Sequence, residues 1–186
     1  MFALKLSAFA INKRLKQSRK IYKDKLYKSY ENLRDKKYIH ELEKFESKKA
    51  TKKFIKDIKA YNPDIIHLHN IHGYYINIDL LFKYLKEANK PVVWTLHDCW
   101  SFTGHCSYFD YVGCCKWRTE CSRCIQKSRY PSSIAIDNSK WNFIKKKELF
   151  TSVKDLTIIT PSNWLAGLVK QSYLFKYPIK VINNGI

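Results

Sequence analysis

From residue 47 onward, apolar and polar positions alternate between a helical and an extended period. The stretch SKKATKKFIKDIKAY sets Ala50, Phe54, Ile55 and Ile58 on one helical stripe, with Ser47 as the expected N-cap. Pro63 ends that helix, and DIIHLH follows as a short apolar strand. Residues 77–88 (NIDLLFKYLKEA) predict an amphipathic helix stopped by Asn89 and Pro91. PVVWTLH then reads as a β-branched strand. Further on, 138–150 reads as helix, 155–160 as strand, 161–174 as helix with Pro161 in its first turn, and 178–183 as strand. A Cys-rich loop, 99–126, interrupts the alternation. Helices and strands in turn, joined by short connections, predict an α/β fold: a parallel sheet with helices on both faces.

Before residue 47 the pattern is different. Residues 12–46 are dominated by charge and hold no Gly or Pro. Leu15, Ile21, Tyr22, Leu26 and Leu33 recur at loosely helical spacing, which predicts one or two exposed helices. The expected division is therefore a basic helical extension, 1–46, ahead of a domain at 47–186. The opening MFALKLSAFAI is broken by Lys5 and followed by NKRLKQSRK, so it reads as a short amphipathic helix suited to a membrane surface. It is not a secretory signal or a membrane span.

Composition narrows the choices. With 186 residues, 45% hydrophobic and 15% aromatic, the chain can bury one core, and global disorder is excluded. Thirty-five Lys and Arg against 16 Asp and Glu give a formal charge of +19. That surplus suits polyanions (nucleic acid, anionic lipid or phosphorylated substrates), and a Lys-rich, Gly-poor composition also fits an AT-rich genome. A basic zinc-knuckle module for nucleic acid would gather basic and aromatic residues around the cysteine loop. Here the lysine surplus is concentrated before residue 60, so no nucleic-acid partner is expected. The absence of an export signal places the six cysteines in reducing cytoplasm, where metal binding or free thiols are favoured over disulfides.

Ligands of open parallel sheets bind at the carboxyl ends of the strands. Those ends read His67-Leu68-His69-Asn70, His97-Asp98-Cys99-Trp100, Thr160-Pro161-Ser162 and Asn183-Asn184-Gly185. Two strands thus deliver histidines to one edge, which is unusual for residues that only fill a core. In the loop, Cys106, Cys114, Cys121 and Cys124 follow C-x7-C-x6-C-x2-C. Four thiols within about twenty residues suit tetrahedral zinc, with His105 able to replace one of them. Reduced thiols or a disulfide are the alternatives. The loop is poor in aliphatics, so a metal would supply order that packing does not.

The segments PDIIHLHNIHGYY, PVVWTLHDCWSFTGHCSYFDYVGC, TIITPSNWLAGLVKQS and VINNGI together resemble the N-terminal domain of family 4 glycosyltransferases, closest to the bacterial exopolysaccharide and lipopolysaccharide group. The resemblance covers 47–186. It implies a GT-B architecture of two Rossmann-like domains, a nucleotide-sugar in the cleft, a glycan or lipid-linked acceptor, and transfer with retention. It also implies that His97 approaches the donor sugar, and that His69, Ser162, Asn183, Asn184 and Gly185 border the ligand. Asp98 either orients His97 or caps the following turn. The family's Gly-rich loop after its first strand has no counterpart, since no glycine precedes Gly73, and a donor domain does not follow Ile186. The expectation is thus a truncated acceptor-side domain, cytoplasmic and peripheral on an anionic membrane. Alone it would be weakly active or inactive, whether as one half of a split enzyme with its donor domain on a separate chain or as a non-catalytic remnant.

Overall fold

The computed structural model describes residues 4–5, 36–72, 75–129 and 137–185, with side chains from residue 47 onward. Five parallel strands form one sheet in chain order: β1 (Leu4–Lys5), β2 (Ile66–Leu68), β3 (Val92–Thr95), β4 (Leu156–Thr160) and β5 (Ile179–Val181). Helix α1 (Lys36–Tyr61) precedes β2, α2 (Ile78–Ala88) precedes β3, α3 (Ser139–Phe150) precedes β4, and α4 (Asn163–Lys170) precedes β5. This is the α/β, Rossmann-like class expected from the alternation. Parallel neighbours require crossover connections, and the helices supply them.

Local chemistry explains where the helices stop. Asn62 and Asn89 take left-handed conformations, φ 48° and 49°, directly after α1 and α2. Asn tolerates this region, and the prolines at 63 and 91 prevent either helix from continuing. Asn77 caps α2 by accepting from Leu80 N at 3.0 Å. Thr51 ties α1 to that cap: its hydroxyl donates to Ser47 O at 2.6 Å and accepts from Asn77 N at 2.8 Å.

Three local expectations are corrected. Ser47 is not an N-cap: it lies inside α1, which runs unbroken past the 46/47 boundary. Helical pairing continues upstream because residues 36–46 contain no breaker. Leu4–Lys5 do not belong to an amphipathic helix but form a strand beside β2, with Leu4 opposite Ile66 and Lys5 opposite His67. The remainder of 1–35 lies outside the described residues. Pro161 precedes α4, whose N-cap is Ser162, its Oγ accepting from Leu165 N at 3.3 Å.

Strand positions alternate in burial. Ile66, Leu68, Val92, Trp94, Leu156 and Ile158 are fully buried, whereas His67, Val93, Thr95, Thr157 and Ile159 are half-buried. The buried face meets α2 and α3 through an aromatic cluster. Phe82 lies 5.6 Å from Trp94 and 4.5 Å from Phe150, and Trp94 meets Phe150 edge-on at 5.0 Å. Among the described residues, cover on the opposite face is lighter. No helix among them is long and apolar enough to cross a membrane.

Candidate functional site at the carboxyl edge of the sheet

The half-buried face carries a row of histidines up to the sheet edge. His67 stands opposite Val93 in the parallel register. Side chains two apart share a face, so 67 and 69 on one strand neighbour 95 and 97 on the next. The contacts follow this geometry with the same diagonal offset. His67 Nε2 lies 2.8 Å from Thr95 Oγ1, and His69 Nδ1 lies 3.1 Å from His97 Nε2. The His69 and His97 rings stack at 5.5 Å. One of the paired nitrogens must donate and the other accept. In either arrangement His97 Nε2 is engaged, and the residue as a whole is exposed.

Asp98 serves the loop rather than His97. Its Oδ1 accepts from Trp100 N at 2.8 Å, and its Oδ2 stands 2.8 Å from His72 Nε2. Asp98 thus caps the turn that follows it. His72, which was not singled out from sequence, completes the site's floor, its ring 5.2 Å from Trp100. A small concavity between these loops is lined by His69, His72, His97, Asp98 and Trp100. The only advance signal of His72 was a third histidine in HLHNIH.

Lys146 holds this floor from below. Reaching out of α3, its Nζ donates to Trp100 O at 2.8 Å and Thr103 O at 3.1 Å, and sits 3.5 Å from the Trp100 ring centroid. Burial pushes its pKa down to about 7. The other expected site residues are spread along the same edge. Ser162 is occupied as a helix cap, and Asn183, Asn184 and Gly185 follow β5 exposed to solvent. A Cβ on Gly185 would meet nothing within 4 Å, so no close approach within the described residues demands glycine there.

Aromatic side chains fill the interior of the cysteine loop, which is poor in aliphatics. Phe102, Phe109 and Trp117 are buried, with Phe109 stacked on Trp117 at 4.9 Å and Phe102 tilted against Trp117 at 5.4 Å. Asp137 closes the loop onto α3, accepting from Cys124 N at 2.6 Å and Ser139 N at 2.9 Å. Cys99 is buried beneath the site, and burial raises its thiol to about 12, as suits a packing residue rather than a nucleophile. Cys106, Cys114, Cys121 and Cys124 line one small cavity. The neighbouring Cys124 thiol, together with burial, pushes the Cys106 thiol up, and the neighbouring Cys106 thiol brings Cys124 down to about 7. Among the described residues, no three His, Cys, Asp or Glu side chains converge as a ready-made metal site.

Gly104 packs where the loop meets α3. A Cβ there would stand inside van der Waals distance of the Ser139 carbonyl oxygen and 2.7 Å from Cys121 Cβ. Backbone cannot yield as a side chain can, so Gly104→Ala should destabilise the fold by about 1–3 kcal/mol, as overpacking does. Urea unfolding checks this; a change below about 0.5 kcal/mol would mean that the loop and helix separate freely.

An open parallel sheet with ionisable groups gathered at its carboxyl edge is the ligand-binding arrangement of the Rossmann-like α/β class. The chain belongs to glycosyltransferase family 4: residues 22–186 match the sequence model described as "Glycosyltransferase Family 4". It is similar to the "Putative colanic acid biosynthesis glycosyl transferase WcaC" of Escherichia coli (strain K12), 34% identical over 135 residues, which is 69% of this chain and 32% of that relative. The chain thus spans about a third of the length of the curated relative it matches. No solved structure matches the chain.

Proposed function

We propose that this chain forms the acceptor-side domain of a retaining GT-B glycosyltransferase, which moves a sugar from a nucleotide-sugar to a glycan or lipid-linked acceptor in exopolysaccharide synthesis. The observation that carries this reading is the His69–His97 pair at the sheet edge, 3.1 Å apart, on a chain of family 4. In the proposed mechanism, His97 uses Nδ1 to bond a sugar hydroxyl. If His69 donates to His97 Nε2, His97 is a neutral imidazole that presents Nδ1–H to the donor sugar. If the proton lies the other way, Nδ1 accepts from a hydroxyl. The form with an Nδ1 lone pair turns the negative end of the ring dipole toward the positive charge that develops as the nucleotide departs. The Nδ1–H form acts by fixing the position of the sugar. His69 is then a positioning residue. Asp98 and His72 hold the turn that carries Trp100, and Lys146 anchors the same turn to α3.

Ser162, Asn183, Asn184 and Gly185 lie at the ends of β4 and β5, the side from which a donor-binding domain would approach. That domain would carry most of the nucleotide-sugar contacts, so this chain alone is proposed to turn over weakly or not at all. The lysines of α1, exposed at 48, 49, 52, 53, 56 and 59, suit a peripheral place on anionic lipid at the cytoplasmic face, where lipid-linked acceptors would be met.

The test joins the chain to a family 4 donor domain and follows label from nucleotide-sugars into lipid-extractable or polymeric glycan. Transfer by the fusion, with little from the chain alone, is the expected result. No transfer across the common nucleotide-sugars, together with no change in the His69 and His97 proton resonances on adding acceptor glycan, would overturn the reading.

A further inference from the structure

We propose that the cysteine loop is a zinc-binding site in which Cys106, Cys114, Cys121 and Cys124 are the ligands. Three separate stretches of the loop bring these four thiols around a single cavity of about 20 Å³, room for one water-sized occupant. Thiols are weak hydrogen-bonding groups, so four of them offer a water molecule little. Deprotonated, the same four sulfurs are the preferred tetrahedral set for zinc, at about 2.3 Å each. The gathering is already partial: all four cysteines line the one cavity, and Cys106 and Cys121 are buried against it. The sulfurs wall the cavity without yet converging. An ion would draw them inward and release their protons to solvent.

Lys146 is buried where the loop meets α3, its Nζ donating to the carbonyls of Trp100 and Thr103. A four-thiolate zinc centre carries net negative charge, which a basic group on that side of the loop suits. The aromatic packing of Phe102, Phe109 and Trp117 forms one wall, so the ion would lock a loop that is already shaped.

The test is metal analysis and free-thiol titration of the whole chain, expressed with zinc and purified without chelator. About one zinc per chain is expected. Cys121→Ser and Cys124→Ser should lose it, while Cys115→Ser, at an exposed thiol off the cavity, should retain it. If the ligand variants fail to fold, Co²⁺ added to the metal-free parent chain should give thiolate-to-cobalt charge-transfer absorption. Less than about a tenth of an equivalent of zinc, no such absorption, or a Cys106–Cys124 disulfide in freshly purified protein would each overturn the proposal. These measurements read metal and thiols rather than glycosyl transfer, so the proposal stands or fails independently of the function assigned above.

Discussion

Replacing His97 with alanine in the complete, donor-domain-bearing enzyme should lower kcat by about 10²–10³-fold, the usual effect of removing one preorganised group that meets developing charge. The side chain is exposed and its hydrogen-bond partner is His69, so the fold should be almost unchanged, within about 0.5 kcal/mol. The change should fall on kcat and kcat/KM together, because the interaction strengthens in the transition state rather than in the ground state. His69→Ala should give a smaller loss, since it removes the partner and leaves the imidazole of His97 in place. Steady-state kinetics with circular dichroism separate these outcomes. Activity of His97→Ala within a few-fold of the parent would remove His97 from the mechanism.

Phe150→Ala should cost about 3–5 kcal/mol of folding stability. Phe150 is fully buried at the meeting point of α2, β3 and the site loop, touching Phe82, Trp94 and Trp100 with ring centroids at 4.5, 5.0 and 6.0 Å. Truncation would leave a void enclosed by aromatic rings that cannot easily close in. Domains of this size hold roughly 5–15 kcal/mol in all, so the loss approaches unfolding at growth temperature. Urea denaturation measures it directly. A cost under about 1 kcal/mol would show that the aromatic cluster is not the core of this domain. Because Trp100 shares the cluster, the turn carrying Asp98 should also loosen, which would appear as faster amide exchange at Trp100.

Much of the architecture was legible because it is written in local patterns. The stripe of Phe54, Ile55 and Ile58, the Asn and Pro stops at 62–63 and 89–91, and the alternation in VVWT each act within a few residues. They predict the α/β order of elements and place His69 and His97 at strand ends. Helix starts were less legible. Ser47 has the chemistry of an N-cap, yet helical pairing simply continues through it. Its carbonyl accepts from Thr51, whose hydroxyl is needed to bind α1 to α2.

The sequence by itself determined which chemistry reaches the edge of the sheet: two strand-end histidines, an acidic residue in the next turn, and four spaced cysteines. Only the tertiary structure decided how those groups are spent. Parallel register, with His67 opposite Val93, is what sets His69 against His97 across 28 residues of chain. Loop packing is what gives Asp98 to His72 and Trp100 instead of to His97. The approach of α3 is what carries Lys146 under Trp100, and it leaves four thiols around one cavity. The Asp98 cap on Trp100 is local, but the His69–His97 and Lys146–Trp100 contacts join segments 28 and 46 residues apart, and their geometry follows from strand pairing and core packing, which no local pattern encodes.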